Sequence, residues 1–313
     1  MKIKKHGPVL VPENGIGAIF NCGASTFRNR FVLIPRVIKE GYTKRPEGGY
    51  ENYISEVWIA ESSDGIDFTL KRPILLPDSE FDLYGCEDPR VTKLGEEYFI
   101  TYTALRHPAF SGLGGRVGLA STTDFERVEK HGVIGPDAED KNCVIFPELV
   151  NGRVVALHRI QPNIQIMFFD SVEDLKANRP WIPWERYMEN LEKFTILKGR
   201  KSWEALKVGS GPPPVKTDEG WLLIYHAVDR NKVYRVGAAL LDENDPSKVI
   251  ARTDEPIMEP TEDYEINGDI PNVVFPVGLV VRHGKCYLYY GGADKTCCLA
   301  TFSLSDLLNL LLS

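Results

Sequence analysis

The stretch YGCEDPRV, Tyr84 to Val91, places two adjacent carboxylates, Glu87 and Asp88, before a proline and an arginine. A lone Asp-Pro is ordinarily just a turn. Other polar residues, falling at equivalent places along the chain, give this one more weight. Arg36, Thr103, Arg159, His226 and Gly292 each occupy the sixth position of five similar strand-like segments. Asp294 lies two residues beyond Gly292, on the same face. At the starts of the preceding segments stand Asn21, Asp88, Lys141 with Asn142, Lys207, and Asp269 with Asn272. A fold that brings equivalent positions together would gather the carboxylates of Asp88, Asp294 and Glu87 with Arg36, Lys141, Arg159, Lys207 and His226. Carboxylates among sugar-type hydroxyls suit glycosyl transfer or hydrolysis, in which a carboxylic acid protonates the leaving oxygen. A ring of Arg, Lys and His suits a small anion, phosphate above all. An enzyme that cleaves a glycosidic bond with phosphate instead of water needs both.

The elements that must position these residues repeat. FVLIPRV, YFITYTAL, VVALHRI, WLLIYHAV and YLYYGGAD are aromatic and β-branched runs whose starts lie 67, 56, 67 and 66 residues apart. Each is followed by another strand (VWIAES, VGLAST, IQIMFFD, VGAALLD, CLATFS), most of which run into a polar turn with Ser or Asp. Each is preceded by a strand that often carries proline. Five units of at least three strands with almost no helical periodicity predict an all-β chain, a five-bladed β-propeller spanning residues 1–313 as one domain. One short helix is expected within SVEDLKANRPWIPWERYMENLEKF, between the third and fourth repeats, and the apolar tail LSDLLNLLLS reads as a packed terminal helix or strand.

Composition narrows the classes. Apolar content of 43% and charged content of 26% are ordinary for a globular chain, and a net charge of −7 argues against non-specific nucleic-acid binding. No apolar run is long enough to span a membrane or serve as a secretory leader. Six scattered cysteines without a C-x-x-C pair argue against a zinc or redox motif and predict small buried thiols in a cytoplasmic protein. No His/Cys/Asp cluster has metal-ligand spacing.

Seven ordered motifs (FNCGAS, EDPRV, KNCVIFPELVNGRVVALHR, SWEALKVGSGPPPVKTDEGWLLIYHAV, RVGAALLDENDPSKV, YEINGDIPNVVFPVG and YYGGAD) resemble glycoside hydrolase family 130, the mannoside phosphorylases and related mannosidases, over nearly the whole chain. The family fold is a five-bladed β-propeller. The resemblance implies that Asp88 is the general acid, passing its proton through the sugar's 3-hydroxyl to the glycosidic oxygen. Glu87 is then a neighbour or hydroxyl ligand, and Arg90 keeps Asp88 oriented. The same resemblance maps contacts to the mannosyl unit onto Asn21, Cys22, Arg36, Lys207 and Asp294. It maps phosphate onto Lys141, Asn142, Arg159, His226 and Tyr234. Two positions depart from the family: serine is common where Cys22 stands, and arginine where Lys141 stands. Lysine keeps the charge but loses the bidentate fork.

The implied reaction is an inverting, glycosyltransferase-type phosphorolysis of β-1,2- or β-1,4-linked mannooligosaccharides, giving α-mannose 1-phosphate. Inorganic phosphate is the co-substrate and no cofactor is required. The alternative on the same fold is a β-mannosidase, favoured if Arg159 and His226 are absorbed in structural ion pairs. A non-catalytic carbohydrate-binding propeller would instead rest on stacking aromatics such as Trp203 or Tyr102. The EDPR form and the loop RPEGGYENYISE lean, by resemblance, to β-1,2-mannosides, and the glycine-bearing loop Arg106–Arg116 is the expected acceptor loop. No nucleic-acid or membrane partner is expected, and a homo-oligomer is compatible with the sequence.

Overall fold

The computed structural model describes residues 1–313. Its strands form five antiparallel units of four strands in chain order. The first comprises Ile16–Phe27, Arg30–Lys39, Ser55–Ser62 and Thr69–Leu75; the second Gly85–Leu94, Glu97–Leu105, Arg116–Thr122 and Glu129–Ile134. A single parallel bridge, Ser55 to Gly85, joins these two. The third holds Lys141–Ile145, Val154–Arg159, Ile164–Phe169 and Thr195–Leu197. The fourth holds Lys207–Ser210, Gly220–Val228, Tyr234–Leu241 and Val249–Arg252, with Val215–Thr217 also paired to Gly220–Val228. The fifth runs Val274–Arg282, Lys285–Gly292 and Thr296–Ser303, and its outer edge is completed by the N-terminal strand Lys4–Leu10. The chain is thus all-β with few helices, and no helix is long and apolar enough to cross a membrane.

The second strand of each unit is a short, nearly continuous apolar run because both its faces are covered. Gly220–Val228 is buried along its whole length. Five apolar cores lie between consecutive units, the last between the fifth and the first. Outer strands such as Thr69–Leu75 are more exposed and carry charges and Pro73, as befits sheet edges. The polar turns after the third strands recur in detail. Asp64 accepts from the backbone N–H groups of Ile66 and Asp67, and Asp124 does the same for Glu126 and Arg127.

Where one short helix was expected, three occur, Val172–Lys176, Trp184–Glu189 and Leu191–Phe194, and they precede the last strand of the third unit rather than following it. The strand Thr195–Leu197 is too short to announce itself in the sequence. The tail is the helix Leu304–Leu312, capped by Ser303, which accepts from the Asp306 N–H, and it buries Leu307 and Leu311.

The cysteine reading needs one correction. Cys86, Cys143, Cys286 and Cys298 are buried and free, but Cys22 and Cys297 form a disulfide across 275 residues, with Cα atoms 6.4 Å apart. The argument for a cytoplasmic protein from reduced thiols loses part of its support accordingly.

Candidate active site

The innermost strands turn their polar residues inward by a shared device. Asn21, Asp88 and Asn142 all have left-handed backbone (φ 49°, 49° and 55°), each where the pairing register shifts to make a bulge. Asn and Asp tolerate this conformation better than other side chains with a Cβ. The bulge re-aims each side chain into a shared cavity of about 380 Å³. Asp294 is also left-handed (φ 52°), in the turn after Lys285–Gly292.

Ten of the twelve predicted site residues line this cavity: Asn21, Arg36, Glu87, Asp88, Lys141, Asn142, Arg159, Lys207, Tyr234 and Asp294. Two do not. Cys22 is fully buried in its disulfide, so its side chain offers no sugar contact. His226 is fully buried behind Arg159, accepting from Nη1 at 3.1 Å. Asp269 is held outside the cavity by Tyr42 and Lys295.

One side of the cavity is acidic, with Glu87 and Asp88 paired to one arginine. Arg36, 5% exposed, donates through Nη2 to Glu87 Oε1 at 2.5 Å, through Nη1 to Asp88 Oδ1 at 3.0 Å and through Nε to Ser55 at 2.8 Å. Asn21 Nδ2 donates to the same Asp88 oxygen at 2.7 Å. Burial pushes the Asp88 carboxyl up, but Arg36, Arg90 and Asn21 outweigh it and hold the group below the usual carboxylate range. Burial disfavours the Arg36 cation, and Glu87 and Asp88 more than reverse this. Arg90 orients Asp88 through the backbone rather than the carboxylate: Nη1 donates to the Asp88 carbonyl at 2.8 Å, while Nε and Nη2 reach the carbonyls of Gly211 and Ser210. Asp294 differs. Burial, opposed by Arg36 and reinforced by Asp88 and Glu87, pushes it up to about 7.

The other side is basic and unpaired. Arg159, Lys141 and Lys207 line the cavity, and none forms an ion pair with a carboxylate. Burial, with Arg159 and Lys141 nearby, brings Lys207 down to about 8. Burial and the cations Arg159, Arg90 and Lys207 keep His226 neutral, which lets its ring nitrogen accept from Arg159. Buried polar atoms here lack protein partners, including Arg159 Nε and Asn142 Oδ1; Asn21 Oδ1 and the Tyr53 hydroxyl are similarly free toward the acidic side. Such atoms are costly unless a ligand or water completes them.

The cavity also has residues that the spacing argument did not find. Glu139 and Phe275 line it, and Tyr53 projects from the loop RPEGGYENYISE beneath Arg36, whose guanidinium lies 5.5 Å from the ring centroid. Tyr53 follows no strand register, so alignment of strands could not reach it. The expected acceptor loop does line the mouth, through Ala109, Phe110, Gly112 and Leu113. Phe110 packs on Tyr50 and Tyr53. The aromatics that a binding module would use are elsewhere: Tyr102 is buried against Asp82, and Trp203 stacks on Tyr225.

An all-β chain with carboxylates and cations around one cavity is the setting that a carbohydrate-active enzyme needs. The model of glycoside hydrolase family 130, described as beta-1,4-mannooligosaccharide phosphorylase, matches residues 4–313, and the chain belongs to that family of mannoside phosphorylases. It is 40% identical over 306 residues to the 1,2-beta-oligomannan phosphorylase of Thermoanaerobacter sp. (strain X514), covering 96% of each chain. It is 37% identical over 289 residues to a beta-1,2-mannobiose phosphorylase of the same strain, covering 88% of this chain and 87% of that protein. The solved structure of the beta-1,2-mannobiose phosphorylase from Listeria innocua, in complex with beta-1,2-mannobiose, superposes with a TM-score of 0.86 at 30% identity, covering 100% of this chain and 99% of that one.

Proposed function

We propose that this enzyme performs inverting phosphorolysis of β-1,2-linked mannosides, giving α-mannose 1-phosphate and a shortened acceptor. The observation that carries phosphate rather than water is the basic side of the cavity. Arg159, Lys141 and Lys207 are gathered with no carboxylate in ion-pair contact and only Glu139 to offset them on that side, an arrangement that favours an anionic ligand. The β-mannosidase alternative required Arg159 and His226 to be taken up in structural ion pairs, and their only mutual contact is a hydrogen bond. The β-1,2 preference rests on the three relatives named for that linkage, against a family description that names β-1,4.

In the proposed reaction a phosphate oxygen attacks the anomeric carbon as the C1–O bond to the acceptor breaks, and one proton goes to the leaving oxygen. Asp88 supplies that proton. Arg36, Arg90 and Asn21 hold Asp88 ionised, so substrate must load it. A phosphate at Arg159, which senses the Asp88 charge, adds negative charge nearby and shifts Asp88 toward its acid form. Sugar hydroxyls that draw on Asn21 and Arg36 act in the same direction. Asn21, Arg36, Glu87 and Asp294 hold the mannosyl hydroxyls, and the loop bearing Phe110 and Leu113 meets the acceptor.

The five four-stranded units are, on this reading, blades of a five-bladed β-propeller. In support, the cores follow one another cyclically and the N-terminal strand completes the last sheet.

The test is an assay of β-1,2- and β-1,4-mannobiose, each with and without inorganic phosphate, for mannose 1-phosphate and free mannose. Phosphate-dependent mannose 1-phosphate from the β-1,2 substrate is expected. Free mannose at an equal rate without phosphate would mean a hydrolase.

A further inference from the structure

Directly behind the basic side lies a buried chain of polar side chains, none of which lines the cavity. His158 and Asp140 are fully buried, and Tyr187 is 2% exposed. His158 Nδ1 meets Asp140 Oδ2 at 2.6 Å, and His158 Nε2 meets the Tyr187 hydroxyl at 2.7 Å. That hydroxyl also donates to the Ile166 carbonyl at 3.0 Å. The second Asp140 oxygen accepts from the backbone N–H of Arg159 at 3.2 Å.

The placement follows from strand alternation. Lys141 pairs with Arg159 across two neighbouring strands. Their chain neighbours Asp140 and His158 therefore point away from the cavity. The Asp140 N–H donates to the Gly115 carbonyl at 3.0 Å, at the end of the loop that lines the cavity mouth. Asp140 therefore joins three pieces: its carboxylate holds the backbone of Arg159 and the His158 ring, and its own N–H holds the root of the acceptor loop, next to the strand carrying Lys141 and Asn142. Tyr187 comes from the inserted helix Trp184–Glu189 and is clamped by Trp184 and Phe194. This gives the insertion a task that the sheets alone do not perform.

We propose that Asp140, braced by His158 and Tyr187, is a positioning residue for phosphate, setting the spacing between Arg159 and Lys141. The inference rests on the reading of the basic side as the phosphate subsite. A buried, fully bonded carboxylate is rigid, and a cation pair misplaced by a fraction of an ångström loses much of its hold on a small anion.

The test uses Tyr187→Phe, which removes one hydroxyl, together with His158→Gln and Asp140→Asn. Three quantities are compared with the wild type: KM for phosphate against KM for the mannoside, inorganic phosphate binding by calorimetry, and Tm. Asp140→Asn should raise the phosphate KM and Kd by about tenfold to a hundredfold, with the mannoside KM within about twofold. Tyr187→Phe should do so by several-fold with little loss of Tm, and it carries the test if Asp140→Asn fails to fold. Unchanged phosphate constants, or both KM values moving together with Tm, would overturn the positioning role while leaving phosphorolysis intact. A wild type that neither binds nor needs phosphate would remove the phosphate reading itself, and this inference with it.

Discussion

The two sides of the cavity solve opposite electrostatic problems. On the acidic side Arg36 is shared between Glu87 and Asp88, with Asn21 and Ser55 completing the set. On the basic side Arg159 has only a neutral histidine, and Lys207 has an aromatic face, the Tyr234 ring 5.5 Å away. The first arrangement pairs Arg36 with carboxylates inside the protein, so that arginine bears on the stability of the fold. The second leaves Arg159 without a carboxylate partner, which on the proposed reading the phosphate supplies. Substitutions of the two arginines should separate these roles.

The largest expected effect is at the acid. Asp88→Asn keeps the shape but removes the proton source, and kcat should fall by about 10² to 10⁴, with mannose 1-phosphate release as the measurement. A variant retaining a tenth of wild-type kcat would move the acid elsewhere, with Asp294 the first place to look.

The two arginines come next. Arg36→Gln strands two buried carboxylates and should cost about 3–5 kcal/mol of folding stability, read by urea denaturation. Arg159→Gln removes an unpaired cation, and its stability should be unchanged or slightly raised while the phosphate KM rises roughly tenfold to a hundredfold. Equal destabilisation by both would erase the contrast between the sides.

A smaller effect is expected from pH. Lys207, brought down to about 8 by burial and by Arg159 and Lys141, loses its charge as pH rises past that value. Phosphate KM should climb between about pH 7 and 9, and Lys207→Arg, which stays charged, should flatten the climb. Because the folded pKa lies below the unfolded one, the unfolded chain binds more protons above pH 8, and this group's share of stability grows with pH there.

The smallest concerns Asp294. Its folded value of about 7 lies above the ordinary 3.8, so the native state binds more protons across that window and this group's contribution to stability falls as pH rises through it. Asp294→Asn should flatten the decline in Tm between about pH 4 and 7; an unchanged slope would place the proton elsewhere.

Much of this site was legible before any coordinates. The recurring strand residues pointed inward because alternation and repetition are properties of the chain, and Arg36 and Arg159 were found in that way. Asp88, Asn21 and Asn142 were found as strand beginnings, although the better signal was chemical: an Asn or Asp at each bulge, where left-handed backbone is needed. Cys22 was expected at the site only through the family resemblance, where serine is common, and its disulfide takes the side chain away from the cavity. His226 lies against Arg159 but one layer deeper than alignment could resolve. Tyr53 and Asp140 escaped because their roles depend on a loop conformation and on a backbone hydrogen bond.

The sequence by itself determined the strand periodicity, the recurrence of similar units every 56 to 67 residues and the chemical types offered at equivalent positions. Those are local properties, set by side-chain alternation and turn chemistry. Only the tertiary structure decided that Cys22 meets Cys297, that Arg36 neutralises Glu87 and Asp88 while Arg159 stays unpaired, and that Asp294 is pushed toward neutrality as Asp88 is held ionised. The physical reason is that charge interaction and desolvation depend on distances of a few ångströms between groups tens or hundreds of residues apart, which no local pattern records.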